Sequence, residues 1–230
     1  MTARGRAEQQ DDAPRVSRFS VTERALHWAF AAAYLALLVS GLPLMLPALR
    51  ELIREYTPAI GVRLHLAAAV LWVLAPLAVV VLGDRRALVR ASRQIASFTR
   101  ADLRWLASFP RWLVTDAETR ARLDREVGRF NAAQKLNSLF VLATSALLLV
   151  SGLALIPAAL AGTSEPGGAW HVLHRYLTLV ALAPLAGHVY LAAVHPPTRP
   201  SLSGIVDGHV DARWAARHHP RWAAPPREDV

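Results

Sequence analysis

The chain has 230 residues, 53% of them hydrophobic and 19% charged, and 26 Lys and Arg against 17 Asp and Glu leave a net charge of +9. Aromatics make up only 7% while Ala, Leu and Val abound, a lipid-facing rather than soluble-core type of apolar content. The absence of cysteine excludes disulfides, clusters held on Cys thiolates and thioether-linked cofactors, so any metal must be held by histidine.

Residues 1–20 read as a polar, mobile arm, too polar for a secretory leader and without a small-residue cleavage site, so the first apolar helix is expected to stay in the mature protein. Four stretches approach the roughly 20 residues that cross a bilayer, and they predict helices over about 24–47, 64–82, 134–157 and 170–195. Between the first two, Pro47–Leu64 can hold a short amphipathic helix with Leu49, Leu52, Ile53 and Tyr56 on one side. From Gly83 to Phe130, apolar residues (Leu88, Ile95, Leu103, Trp105, Leu106, Phe109, Trp112, Leu113) alternate with eleven Arg, which predicts amphipathic helices at the headgroup level or against a partner. Gly162–Gly168 is a short, turn-rich loop, and residues 223–230 are a polar tail. The expected fold is an all-α membrane protein, a four-transmembrane-helix bundle whose membrane domain runs over 21–222.

Lys and Arg set the orientation. Five precede the first span, twelve lie between Gly83 and Lys135 and five follow Val194, against Arg50, Arg54, Arg63 and Arg175 at the other end. Both termini and the long segment between helices 2 and 3 are therefore expected on the cytoplasmic side. The same bias accounts for the positive charge without nucleic acid, which is not expected as a partner; membrane lipid is.

Of nine histidines, His27, His65, His174 and His188 fall within or at the ends of the spans, where an ionisable group is costly and is by default a functional candidate. His174 and His188 are fourteen residues apart, which in a helix means about 21 Å of rise and a rotation about 40° short of whole turns, one face at two depths. His171 points roughly 100° away from His188 and is set aside. His27 belongs at the depth of His188, and His65 at that of His174. Two cross-helix imidazole pairs follow, each able to fill both axial positions of a haem iron, an arrangement for electron transfer rather than oxygen chemistry. A tetrahedral zinc site fits poorly, because neither pair has carboxylate or thiolate company.

Arg24, Arg63 and Arg175 flank these histidines at interface depth, placed for haem propionates or for lipid phosphate. Gly41, Gly152 and Gly187 allow close approach of a neighbouring helix or a flat macrocycle. Pro76 and Pro184 fall mid-span. A weak internal echo links Val39-Ser-Gly-Leu42 with Val150-Ser-Gly-Leu153, and Leu74-Ala-Pro-Leu-Ala78 with Leu182-Ala-Pro-Leu-Ala186, although such apolar strings also recur by chance.

Several pieces resemble one family: Glu23-Arg-Ala-Leu-His-Trp28, Ser40-Gly-Leu42, Arg129-Phe-Asn-Ala-Ala-Gln-Lys135, His174 and His188 followed by Val189-Tyr190, Gly204-Ile-Val-Asp-Gly208, and Arg213-Trp-Ala-Ala-Arg-His-His-Pro-Arg-Trp222. Together they make the chain similar to the cytochrome b (gamma) subunit of membrane-bound respiratory formate dehydrogenases, over about residues 18–222. The resemblance implies two haem b groups, the inner on His27 and His188 and the outer on His65 and His174. It implies partners: an iron-sulfur (beta) subunit and a molybdenum or tungsten catalytic (alpha) subunit. Electrons would enter at the outer haem, leave at the inner one and reduce a quinone, menaquinone or ubiquinone, on the cytoplasmic side of the inner membrane.

The family's quinone pocket is bordered by an Asn-x-Gly-Gln motif, which maps onto Asn131, Ala133 and Gln134, with Ala133 where the family has glycine. The same residues also form a helix capping box. His218 and His219 would lie in a structural tail, and His195 and His209 receive no role. Two alternatives stay open: the cytochrome b of a hydrogenase or thiosulfate-type reductase, and a haem-free membrane anchor or transporter whose histidines relay protons.

Overall fold

The computed structural model describes residues 14–53, 57–161 and 168–223. Most of them are helical. Four helices are long and apolar enough to cross a membrane: α1 (Val21–Met45), α3 (Pro58–Leu82), α7 (Ala132–Ala161) and α8 (Ala169–Val189), the last continued by one wider turn over Tyr190–Val194. Large apolar side chains remain on their surfaces, as a lipid solvent permits.

Helix α3 begins six residues earlier than its apolar run suggests. The Thr57 hydroxyl accepts from the Ile60 amide at 3.3 Å and Pro58 occupies the first turn, a start signal outside the apolar run. Arg63 and His65 therefore stand in the second turn, a correction to their expected position at the helix start. Helix α7 likewise runs past Pro157, and Pro43, Pro76 and Pro184 are carried inside α1, α3 and α8. In surroundings without water to compete, the helix persists through the lost hydrogen bond. The short helix after α1 is α2 (Pro47–Glu51), which holds Leu49; Leu52 and Ile53 follow it exposed, and Tyr56 lies outside the described residues. The expected loop Gly162–Gly168 lies outside them too, except for Gly168.

By their internal contacts the described residues form two compact units. The second unit comprises Val21–Val89 and Val141–Leu185, and within it α1 packs along α3. The Thr22 hydroxyl there accepts from the Asp84 amide at 2.9 Å, tying the start of α1 to the chain just past α3.

The first unit gathers the residues up to Ser20, Arg90–Phe140 and those from Ala186 onward. Its amphipathic helices are α5 (Arg100–Val114), α6 (Ala117–Leu123) and most of α4 (Arg85–Ala96). The apolar face of α5 turns inward. Trp105 and Trp112 form a core with Val127 and Ala132, covered by Leu106, Phe109, Leu113 and Leu123. This internal packing meets the need of α5 that the sequence assigned to a partner or to headgroups.

A two-stranded antiparallel ribbon is an addition to the expected all-helical fold: β1 (Arg15–Ser17) pairs with β2 (His209–Asp211), Val16 opposite Val210. Val210 is fully buried with Trp214 and Ala215, against Val16 and Trp222. The end of the polar arm is thereby tied to the C-terminal string, which folds as α9 (Leu202–Val206), α10 (Ala212–His218) and α11 (Pro220–Ala223). Gly208 turns the chain into β2 at φ 97°, a conformation open to glycine, and the Asp211 side chain caps α10 by accepting from the Trp214 amide at 2.7 Å.

Candidate functional site

His65 on α3 and His174 on α8 meet within the second unit, their ring centres 6.2 Å apart and their planes at 84°. Each ring is held from behind by the membrane-length helix that precedes its own in sequence. The Ser40 hydroxyl on α1 lies 3.2 Å from His65 Nδ1, and the Ser151 hydroxyl on α7 lies 2.9 Å from His174 Nδ1. Both serines are buried. A glycine follows each of them and faces the same ring: a Cβ on Gly41 would stand 2.9 Å from His65 Cε1, and one on Gly152 would stand 3.5 Å from His174 Cε1.

These residues fit a planar metal macrocycle gripped from two sides. Axial bonds of about 2 Å, with half a ring at either end, separate two trans imidazole centres by roughly 6 Å. That is the separation observed. Among the described residues no group of three or more His, Cys, Asp or Glu could hold a metal ion, so a site closed by protein ligands alone is not built there.

Of the other predicted site residues, His27 is on α1 in the second unit, half-buried, with its ring edge-on to Trp28 at 5.3 Å. His188 is exposed near the end of α8 in the first unit. Arg24 is half-buried on α1, while Arg63 and Arg175 are exposed on α3 and α8. His171 is half-buried one turn before His174.

At the start of α7 the capping box is formed in full. Gln134 Oε1 accepts from the Asn131 amide at 3.0 Å, and Asn131 Oδ1 accepts from the Gln134 amide at 2.9 Å. Ala133 packs against the Trp105–Trp112 core, which gives its methyl an apolar seat. One residue on, Lys135 donates to Asp102 at 2.9 Å and to the Ser97 carbonyl at 2.8 Å, with Lys135 and Asp102 both largely shielded. Burial pushes the Asp102 carboxyl up, but hydrogen bonds from Lys135 and Thr99 outweigh it and hold the group below the usual carboxylate range.

Two polar hubs of the first unit escaped the sequence reading. Asp124, 2% exposed, accepts from the indole N–H groups of Trp105 at 2.9 Å and Trp112 at 2.8 Å and from His218 Nδ1 at 3.0 Å. Arg18, 3% exposed, donates to His219 Nε2 at 3.0 Å and to the Arg129 carbonyl at 3.2 Å, its guanidinium lying over Phe19, Trp214 and Trp222. His219 Nδ1 donates to the Gly128 carbonyl at 2.7 Å, so Nε2 is the acceptor and the ring is neutral. Burial, then the Arg18 charge, drives the His219 pKa well below the ordinary histidine value. Burial, then the Arg129 charge, lowers Arg18 to about 9, which leaves it a cation at neutral pH. His195, also buried, bonds Thr198 through Nδ1 and faces Trp112 and Tyr190; burial depresses its pKa as well.

Among curated proteins the chain is similar to two cytochrome subunits of Escherichia coli (strain K12). It is 23% identical over 222 residues to the formate dehydrogenase, nitrate-inducible, cytochrome b556(Fdn) subunit, covering 90% of this chain and 89% of the relative. It is 25% identical over 210 residues to the formate dehydrogenase cytochrome b556(fdo) subunit, covering 90% and 91%. The Fdn subunit of Shigella flexneri matches at 23% over 222 residues. A family model described as prokaryotic cytochrome b561 matches residues 18–208. That span takes in all four apolar helices and the paired histidines between them, and the chain, a multi-pass membrane protein, belongs to the prokaryotic cytochrome b561 family.

Proposed function

We propose that this chain is the haem-bearing electron-transfer subunit of a formate-oxidising membrane complex, carrying electrons from an iron-sulfur partner to a membrane quinone. The observation that carries the reading is the His65–His174 pair, two imidazoles from separate apolar helices at the spacing of trans axial ligands. His65 and His174 hold one haem b, His27 and His188 the other. Haem b held between two imidazoles supplies a one-electron couple with no open coordination position. The curated relatives are named as cytochrome subunits of formate dehydrogenases, which supports the choice of complex; an iron-sulfur (beta) subunit and a molybdenum or tungsten (alpha) subunit are the partners proposed with it.

The chain's own residues do three things in this reading. The imidazoles at positions 27, 65, 174 and 188 would hold the haem iron. Arg24, Arg63 and Arg175 neutralise propionates, since a guanidinium pairs a carboxylate in bidentate fashion. Asn131 and Gln134 present amide groups to a quinone carbonyl beside Ala133, at the face where twelve Lys and Arg mark the cytoplasm. Reduction of a quinone takes two electrons and two protons. With the protons drawn from the cytoplasm and formate oxidised on the opposite side to carbon dioxide, a proton and two electrons, charge is separated without a pump.

Haem extraction and reduced-minus-oxidised spectra test the reading. Two haem b per chain are expected, falling to one in His65→Ala or His174→Ala and likewise in His27→Ala or His188→Ala. Colourless protein, or two haems retained in all four variants, overturns it. Copurified partners and formate-driven reduction of the cytochrome test the choice of complex.

A further inference from the structure

We infer that Ser40 and Ser151 are positioning residues that fix the tautomer and rotation of the two histidines, and that the repeated Ser-Gly pair is the element doing so in each half of the chain. The inference rests on the axial-ligand reading of His65 and His174.

The geometry settles where the protons go. Ser40 Oγ lies 2.7 Å from the Ala36 carbonyl, and Ser151 Oγ lies 2.8 Å from the Leu147 carbonyl, each four residues back on its own helix. A carbonyl only accepts, so at these distances the hydroxyl proton belongs to the serine and points along the helix. What remains for the imidazole is a serine lone pair. His65 Nδ1 and His174 Nδ1 must then carry the proton and donate it, at 3.2 and 2.9 Å, with the Leu37 and Leu148 carbonyls, three residues before each serine, as further acceptors for the same rings. Nε2 of each ring is left unprotonated, with its lone pair free for a metal. A hydrogen bond at the far nitrogen is how a protein commonly orients a metal-bound histidine and raises its basicity.

The next residue completes the device. Gly41 and Gly152 place only hydrogen against the imidazole, so the ring edge at Cε1 and Nδ1 can come up against the serine's helix within reach of the hydroxyl. The unit is thus a helix carrying Val-Ser-Gly-Leu and a partner helix bearing a histidine 25 residues after the first serine and 23 after the second. Two copies of the unit face each other through the histidine rings at 6.2 Å. The two ring planes stand at 84° to each other.

An Nδ1–H that donates to oxygen pushes electron density toward iron and favours the ferric state. Losing the acceptor raises the potential. Outer-shell partners of this kind change metal affinity by about tenfold or more, and a tenfold change in the ferric-to-ferrous balance corresponds to about 59 mV for one electron.

The test is redox titration and low-temperature electron paramagnetic resonance of the purified, haem-loaded protein with Ser40→Ala, Ser151→Ala, both together, and Ser40→Thr and Ser151→Thr. The alanine variants are expected to keep two haems while one haem rises in potential toward that tenfold change and its ferric low-spin signal, strongly anisotropic for crossed imidazole planes, moves. The threonines, which keep a hydroxyl able to bond back along the helix, are expected to restore both readouts. Unchanged potentials and spectra in both alanine variants overturn the inference, as does a haem loss that threonine does not restore. His65→Ala is the control: if it retains both haems, the ligand reading fails and takes the inference with it.

Discussion

Gly41 and Gly152 occupy equivalent places in the repeated unit, yet alanine should act on them in opposite directions. At Gly41 the new Cβ would lie 2.9 Å from Cε1 and 3.1 Å from Nδ1 of His65, more than half an ångström inside an ordinary contact of about 3.5 Å at its nearest atom. The ring cannot swing away freely, because Ser40 holds Nδ1 at 3.2 Å. Forced overpacking of this kind costs about 1–3 kcal/mol, against about 0.5–1 kcal/mol gained by alanine over glycine inside a helix. Gly41→Ala should therefore destabilise by roughly 1–2 kcal/mol or displace His65 from its partner. At Gly152 the nearest ring atom stands at 3.5 Å, an ordinary contact, so only the helix gain of about 0.5–1 kcal/mol remains. Thermal unfolding in detergent, with haem content measured alongside, should separate the two variants by roughly 4–8 °C for a chain of this size, Gly41→Ala the lower and poorer in haem. Equal melting temperatures, or Gly152→Ala as the weaker protein, would refute the reasoning.

Asp124→Ala strands two indole N–H groups and an imidazole, each costing about 1–3 kcal/mol when buried without a partner; limited proteolysis of the 85–130 segment should accelerate strongly, and an unchanged rate counts against the hub. His219 is buried neutral with a depressed pKa, so the unfolded chain takes up a proton near the ordinary histidine value before the folded one does. Its stabilisation is complete above about pH 6.5 and is lost on acidification, with a slope of up to about 1.4 kcal/mol per pH unit; His219→Gln should flatten the fall in melting temperature between about pH 6.5 and 5 relative to the parent chain. At the start of α7, Asn131→Ser keeps a strong cap while removing the amide, so quinone turnover should fall with stability preserved within about 1 kcal/mol; retained turnover would leave Asn131 as a cap alone.

Much of the membrane part was legible because the bilayer imposes a length. Uncharged runs near 20 residues located all four helices, and histidine at membrane depth is rare enough that positions 65 and 174 stand out on residue type and spacing alone. What the apolar runs could not show were ends set by other chemistry: Thr57 and Pro58 start α3 well before its apolar run, and α7 ignores Pro157. The first unit was harder. The pairing of Val16 with Val210 joins residues far apart in sequence, and no local pattern in three-residue strands announces such a partner. Arg18 looked like one more cation of a polar arm; only the aromatic walls of Phe19, Trp214 and Trp222 reveal it as a buried member of a core. Trp105 and Trp112 were visible as an apolar face, but the carboxylate that binds both indoles was one acidic residue among many.

The Val-Ser-Gly-Leu echo carries a different lesson. Read as apolar composition it has little weight, since such strings recur wherever helices cross lipid. Its information lies in the two residues that are poor choices for a membrane helix. Serine in hydrocarbon must bond back to its own helix, and glycine gives up side-chain contact altogether. Both losses become explicable once a histidine from the next helix fills the notch and donates to the serine. A polar residue beside a missing side chain, met twice and each time about two dozen residues before a histidine, marks a place where a ring rather than lipid is to lie. The histidines identify the chemistry, and the Ser-Gly pairs record which way each ring must face.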